Sequence, residues 1–341
     1  MQPVIYADPT SEAHDGGPDH PERPERLTAC LDAIARAGLT PVTDLPAATD
    51  EQLARIHAVG YLERLERFCR RGGGLIDQDT YAGEESFEIA RRASGAACRA
   101  AGDAFASGQT AVCLVRPPGH HATRTRAMGF CLLNHVAVGA AHAATLAPQG
   151  RVAIVDFDVH HGNGTQDIFW EDPSVLYVSL HQFPWYPGTG ALEESGEGEG
   201  KGTTVNIPLP AGTGDGVYRQ AMQRIVVPAL ADFRPDVIWV SAGYDAHIRD
   251  PLAMMQMTTG GFGALCSLLV EAAVDLCGGR LLVTLEGGYD LEALAASLLA
   301  TLGAMAGTAG TAGSHERGVP PPDPPAAVAA LERAVAFHRH A

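Results

Sequence analysis

The sequence predicts an α/β fold in which a parallel sheet lies between helical layers. Three observations predict it. Short apolar runs recur along the chain, alanine-rich stretches of helical character alternate with them, and polar clusters follow the apolar runs directly. Strand–helix alternation of this kind indicates βαβ units. Sites in such folds collect in the loops beyond the strand C-termini.

Taken in order, the first strand candidate is Val-Ile-Tyr at 4–6, and a long alanine-rich helix is predicted over 86–106. The run Ala-Val-Cys-Leu-Val at 111–115 is continuously apolar, as expected of a strand buried on both faces. Further runs at 152–156, 175–180, 204–207, 237–241 and 281–285 complete the strand set. Helices are predicted over 216–233, 258–276 and 291–305. No internal repeat occurs, and residues 1–305 read as a single domain. The Gly/Ala/Pro-rich stretch 306–325 reads as a flexible linker, followed by a short C-terminal helix within 326–341.

The chain has 341 residues, 46% of them hydrophobic and 19% charged, which describes a globular protein with a large core. A net charge of −16 argues against a nucleic-acid surface and favours cationic substrates. Seven cysteines form no CxxC pair, which points to a reduced thiol set. The N-terminal residues lack a signal-peptide pattern, and no apolar run reaches the roughly 20 residues needed to span a bilayer. A cytoplasmic protein without a membrane partner is expected. Two glycine-rich stretches, 196–202 and 212–216, have the wrong spacing for phosphate or dinucleotide loops and are expected to be solvated turns.

The chemistry is concentrated at strand ends. Asp156-Phe-Asp-Val-His-His-Gly-Asn-Gly164 follows Val152–Val155, and the alternation of a strand directs Asp156, Asp158 and His160 to one side. Asp158 and His160 are metal-ligand candidates, and Asp245, after the run 237–240, is the natural third. One imidazole and two carboxylates leave an open coordination position, as hydrolysis requires. His120 and His121 follow the rigid Arg116-Pro-Pro-Gly turn and suit acid–base chemistry near neutral pH. Glu286-Gly-Gly-Tyr289 ends the last strand, where two glycines permit a sharp turn and the phenol can stabilise an oxyanion.

Together with Gly129-Phe-Cys-Leu-Leu-Asn134, Ser179-Leu-His181 and Asp250-Pro251, these motifs closely resemble the zinc-dependent histone deacetylase family. The resemblance runs from His20-Pro-Glu-Arg-Pro-Glu-Arg-Leu27 to Tyr289 and is closest to class II enzymes and their bacterial amidohydrolase relatives, acetylpolyamine amidohydrolases included. It implies an arginase/deacetylase-type fold with about eight parallel strands. It also implies an amide hydrolase that removes acetyl or other short acyl groups from lysine side chains or related N-acyl amines. In that scheme Asp158, His160 and Asp245 bind one zinc ion, His120 and His121 are the catalytic pair, and Tyr289 polarises the carbonyl.

Asp156 and Asn163 match the partners of His120 and His121, so His120 is expected to be the more cationic of the two. Gly129, Phe130 and Tyr186 match the channel that grips the acyl-lysine stem, with Tyr186 standing where phenylalanine is common. Asp156 and Ser179, and separately Phe169, Asp172 and Val175, match potassium sites. Leu252 occupies the place where polyamine-selective members carry an acid, which favours acetyl-lysine, while the acidic loop 193–199 favours polyamines. The rival readings are an acetylpolyamine amidohydrolase, a non-catalytic acetyl-lysine-binding module, and a ureohydrolase using two manganese ions. Fe(II) or Co(II) could replace zinc in an oxygen-rich site. A homo-oligomer is compatible with the sequence.

Overall fold

A computed structural model describes residues 2–308 and 322–339. Among them are nine strands: β1 (Val4–Ala7), β2 (Gly74–Leu75), β3 (Tyr81–Ala82), β4 (Ala111–Leu114), β5 (Val152–Asp156), β6 (Val175–Gln182), β7 (Thr204–Leu209), β8 (Val237–Ala242) and β9 (Leu281–Leu285). β2 and β3 pair as an antiparallel hairpin that the apolar pattern does not reveal. The other seven form one parallel sheet in the order β1-β4-β9-β8-β5-β6-β7. Each coincides with a predicted run.

The expected strand number of about eight is thereby corrected to seven. Outside β1 an eighth strand is reduced to one residue, where Val42 N donates to Ile5 O at 2.7 Å and Ala7 N to Val42 O at 3.0 Å. Pro41 precedes it and has no N–H to continue a ladder.

Both faces of the sheet are covered. Ala153 and Val155 point into one core while Val152 and Ile154 point into the other, and β8 and β9 alternate in the same way. This explains the unbroken apolar runs: a strand covered on both sides has no solvent face to mark with polar residues. Helices Ser86–Ser107 and His135–Leu146 cover one side. Thr259–Cys277 and Leu291–Met305 cover the other, capped by Thr258 and Asp290.

The single helix predicted over 216–233 is broken. It runs Asp215–Ala221, passes through a π-helical turn Met222–Val226, and resumes as Val227–Phe233. Pro228 accounts for the break, since a proline inside a continuous helix loses a hydrogen bond and clashes with the preceding turn.

Helix Thr259–Cys277 corrects a further expectation, because by length and composition it could cross a membrane. Its buried residues, among them Phe262, Leu265 and Leu269, belong to the core on that side of the sheet, as in the central helix of a globular fold. Helix Pro325–His338 is the predicted terminal helix, and it docks through Arg224–Glu332 and His338 Nε2 to Asn206 O. Of the predicted linker, 309–321 lie outside the described residues. All seven cysteines are buried and unbridged.

The sheet order also positions the site. β4 and β5 are consecutive in the main sheet's chain order, yet β9 and β8 lie between them. Such a switch in winding opens a crevice at the strand C-termini. The register levels those ends: Asp156 lies beside Ser179 and Ser241, and Ser241 beside Thr284.

Candidate active site

The four central strands each end in a loop that delivers one part of the site. β5 stops at Asp156, so Asp158 and His160 lie in the following loop. Strand alternation alone therefore does not bring them together, as the sequence pattern suggests. A chain of side-chain-to-backbone bonds does: Asp158 N donates to Asp156 Oδ1 at 3.1 Å, and His160 N to Asp158 Oδ1 at 2.9 Å. Asp245, beyond β8, joins by accepting from Val159 N at 2.9 Å.

The result is a compact donor set. Ligand atoms of Asp158, His160 and Asp245 all lie within 4.8 Å of one another. His160 Nδ1 is 3.2 Å from Asp158 Oδ1 and 3.1 Å from Asp245 Oδ2. Burial works against a charged ring, but bonding to the two carboxylates outweighs it and pushes the His160 pKa up to about 10. Two buried carboxylates thus draw positive charge to one point, and two oxygens with one nitrogen suit a divalent ion such as zinc.

Glycines make the approach possible. A Cβ at Gly287 would lie 2.1 Å from Asp245 Oδ2 and 2.6 Å from Asp158 Oδ2. Of the two glycines, then, only Gly288 (φ 117°) serves the turn; Gly287 makes room, while its N–H donates to Asp158 Oδ2 at 2.8 Å.

The histidine pair comes from the loop after β4. Near its start, Arg116 is clamped by Glu22 (2.6 and 2.8 Å) and donates to the carbonyls of Ser11 and His14, each at 3.0 Å. His120 Nδ1 donates to Asp156 Oδ2 at 3.0 Å, and His121 Nδ1 to Asn163 Oδ1 at 2.8 Å. Their ring centroids are 4.0 Å apart. With both Nδ1 atoms engaged, both Nε2 atoms are left for chemistry.

The two rings differ electrically. Burial opposes charge on each, but for His120 the Asp158 and Asp156 carboxylates reverse the balance and raise the pKa to about 10. His121 is held well below the ordinary histidine value by burial and then by the positive charge of His120. A divalent ion on Asp158 would offset that residue's share, leaving the direct Asp156 partner. The two shifts run in opposite directions, and their leading causes are burial and the neighbouring charges of Asp158 and His120, with the Asp156 partner adding to the rise on His120.

Tyr289 is buried, and burial raises its pKa well above the ordinary phenol value, keeping the hydroxyl protonated. The Arg26 guanidinium sits 4.8 Å from its ring centre, and Asp250 Oδ2 accepts from its backbone N at 2.7 Å. Tyr289, His120, His121 and His160 line one cavity of about 250 Å³. Gly129, Phe130, Tyr186 and Leu252 line it too, as expected. Tyr186 meets His121 edge-on at 5.2 Å, and Phe130 meets Tyr289 at 5.9 Å. Phe130 has a left-handed backbone (φ 67°), a strained geometry for a bulky residue that aims its ring into the channel.

The residues matched to potassium sites are arranged less distinctively. Ser179 Oγ lies 2.9 Å from His181 Nδ1, while the Phe169 and Asp172 carbonyls accept backbone bonds from Asp172 and Val175. Of the glycine-rich stretches, 196–202 contains a 3-10 turn at Gly198–Gly200, beside which Lys201 Nζ donates to Ser195 Oγ at 2.7 Å. The other, 212–216, runs from a turn into the helix Asp215–Ala221; both are partly buried, unlike the solvated turns expected.

Sequence reading missed several site residues. Asp79 and Trp185 line the cavity, and Arg26, Glu22 and Glu286 stand behind it. Arg26 and Glu22 lie in the motif 20–27, but a charged helix-start segment normally faces solvent, so only burial identifies them.

Comparisons with known proteins agree with one another. A profile of the histone deacetylase domain matches residues 20–305. A histone deacetylase-like amidohydrolase of Pseudomonas aeruginosa is 43% identical over 297 residues, covering 86% of this chain and 77% of that protein. Histone deacetylase 10, chloroplastic, of Oryza sativa subsp. japonica is 41% identical over 309 residues, covering 84% and 70%. The crystal structure of the HDA15 HD domain superposes with a TM-score of 0.89 at 36% identity, covering 99% of this chain and 95% of that one.

Proposed function

Because the chain belongs to the histone deacetylase family, we propose that it is a zinc-dependent amide hydrolase acting on acetylated lysine side chains or related N-acyl amines. The observation that carries this reading is the convergence of three unlike groups on one cavity: the Asp158–His160–Asp245 donor set, two histidines with different partners, and a neutral buried phenol. A binding module would need only the cavity.

Asp158, His160 and Asp245 would hold one zinc ion per chain, with potassium as a structural companion in this reading. When bound, such an ion supplies Lewis acidity, which polarises an amide carbonyl and acidifies water. The chain's own residues do the rest. Phe130 and Tyr186 hold the apolar stem of the substrate and exclude water from beside it. His121, neutral at Nε2, takes a proton from the attacking water. The protonated imidazole of the pair then delivers a proton to the leaving amine, while Tyr289 donates its hydroxyl hydrogen to the developing oxyanion. Acetate and a free amine result.

Acetyl-lysine is the preferred substrate in this reading because Leu252 at the channel wall offers nothing to a second ammonium. Part of the acidic loop is also occupied internally, since Glu194 accepts from Gly190 N and Ala191 N. One observation favours acetylpolyamines instead: Asp79 lines the same cavity. Turnover of an acetyl-lysine peptide and an N-acetylpolyamine by the zinc-loaded enzyme tests the choice, and a large preference for the polyamine overturns it. A cytoplasmic location is part of the reading; seven unbridged thiols support a reducing compartment.

Two predictions arise here. An Asn163→Asp variant gives His121 a carboxylate partner, which raises its pKa. Since the rate requires neutral His121, the acid limb of the pH–kcat/KM profile moves to higher pH; an unmoved limb contradicts His121 as the base. Metal uptake has a pH signature as well. His160 is protonated in the metal-free site up to about pH 10, whereas a ligand must be neutral. Zinc binding at neutral pH therefore releases a proton, measurable by calorimetry in buffers of different ionisation enthalpy. Binding without proton release contradicts the assignment of His160.

A further inference from the structure

We propose that Glu286 is a positioning residue for the histidine pair, clamping the backbone of Gly119 and His120 from the end of β9, the strand that pairs directly with β4. The proposal rests on the hydrolase reading above and adds to it a residue that touches neither the donor set nor the substrate channel.

Glu286 is fully buried and immediately follows β9. Its Oε2 accepts from Gly119 N at 2.6 Å and from His120 N at 3.1 Å. Two successive amides aimed at one oxygen make the kind of concavity that binds anions, and here the acceptor is a side chain from 167 residues further along. The two residues before Gly119 are prolines and have no N–H to offer. These amides are thus the first after Arg116 that can tie the loop down. The other carboxylate oxygen, Oε1, accepts from Ser241 Oγ at 3.3 Å.

The clamp is itself held at both ends. Glu286 N donates to Ala242 O at 3.0 Å, and Glu286 O accepts from Arg26 Nη2 at 2.5 Å. On the loop side, a Cβ at Gly119 would lie 2.8 Å from His135 N and 2.9 Å from Leu133 O, so glycine lets the loop pack closely against the start of helix His135–Leu146. His120 is consequently fixed at every polar atom but one. Its N donates to Glu286, its O accepts from Thr165 N at 3.1 Å, and its Nδ1 donates to Asp156. Nε2, 3.8 Å from Asp158 Oδ1, is left to face the reaction. His121 follows directly and inherits the same placement.

Removing the carboxylate would leave two buried N–H groups without an acceptor, and the loop must shift to find others. The cost falls on kcat, because a displacement of about 1 Å in a catalytic group can cost about 100-fold.

The test compares Glu286→Ala and Glu286→Gln in the zinc-loaded full chain, using an acetyl-lysine peptide. Glu286→Ala is expected to lose about 100-fold in kcat while KM stays within about threefold and zinc content is unchanged. Glu286→Gln should recover to within about tenfold of wild type, because its amide oxygen accepts both N–H groups. If the alanine variant does not fold, Glu286→Asp replaces it: it keeps the carboxyl group but retracts the oxygen by one methylene, and the same loss is expected. In protein labelled with ¹⁵N at glycine and histidine, the Gly119 and His120 amide protons should be downfield and slow to exchange in wild type and in Glu286→Gln, but not in Glu286→Ala. Full kcat in the alanine variant, a glutamine variant as poor as the alanine one, or loss of zinc in step with activity would overturn the proposal. If wild-type protein does not hydrolyse the peptide, the hydrolase reading fails, and the amide signals still decide the clamp: their persistence without the carboxylate overturns it.

Discussion

Tyr289→Phe is expected to lower kcat by about 100- to 1,000-fold, or about 2.7–4 kcal/mol of barrier, with KM within a few-fold of wild type and zinc content intact. The substitution removes one oxygen and leaves the ring. Packing against Phe130 and under Arg26 is retained, as is the backbone bond to Asp250. What is lost is a hydrogen-bond donor whose position is set before the reaction begins. Burial keeps the hydroxyl protonated far above neutral pH, so it donates throughout the working range. An oxyanion donor acts on charge that exists only in the transition state, so the loss appears in kcat and hardly in KM. Steady-state kinetics with parallel metal analysis check this. A variant with wild-type kcat would remove Tyr289 from the mechanism and revive the non-catalytic reading.

Asp158→Ala should have the larger overall effect, eliminating both stoichiometric zinc and hydrolysis. Loss of a residue that merely orients a ligand typically weakens metal binding about 10- to 100-fold, so loss of a ligand should exceed that range. Asp158 also organises its surroundings. It accepts from His160 N and from Gly287 N, tying the loop after β5 to the one after β9. Zinc titration monitored by calorimetry, with circular dichroism to verify the fold, tests the prediction. Retention of one tightly bound zinc per chain would require a different donor set.

Much of the fold was legible because parallel strands buried on both faces leave unbroken apolar runs. Six of the seven strands of the sheet contain such a run, whereas β7, Thr-Val-Asn-Ile-Pro-Leu, alternates. The helices capped by Thr258 and Asp290 are likewise legible from their apolar, alanine- and leucine-rich sequences. The hairpin of β2 and β3 was not legible, since two-residue strands carry no periodicity. Nor was the break at Met222–Val226 anticipated from a helical pattern that continues through Pro228. The expected eighth strand came from the family resemblance, and the chain reduces it to the bridge at Val42.

In the site, the residues that stand in motifs were identifiable by chemistry and spacing. Asp158 and His160 with Asp245, the pair His120–His121, and Tyr289 all end apolar runs, and the structure brings them together around one point. The explanation of their convergence needed correction: the loop after β5, stitched by carboxylate-to-amide bonds, does what strand alternation was expected to do. Asp79 and Trp185 ended no run and carried no pattern, so nothing in the sequence distinguished them from ordinary loop residues.

The sequence by itself determined the order of strands and helices, the chemical identity of the candidate site and the family to which the chain belongs. Each of these depends on residue types and short spacings. Tertiary structure alone decided which charges meet. It buried Glu22 with Arg116 and Arg26, set Glu286 beneath the histidine loop, and raised the pKa of His120 while lowering that of His121 although the two are adjacent in sequence. The physical reason is that electrostatic energy depends on distance through space and on exclusion of water. Both are properties of the packed molecule, created by groups that lie scores of residues apart.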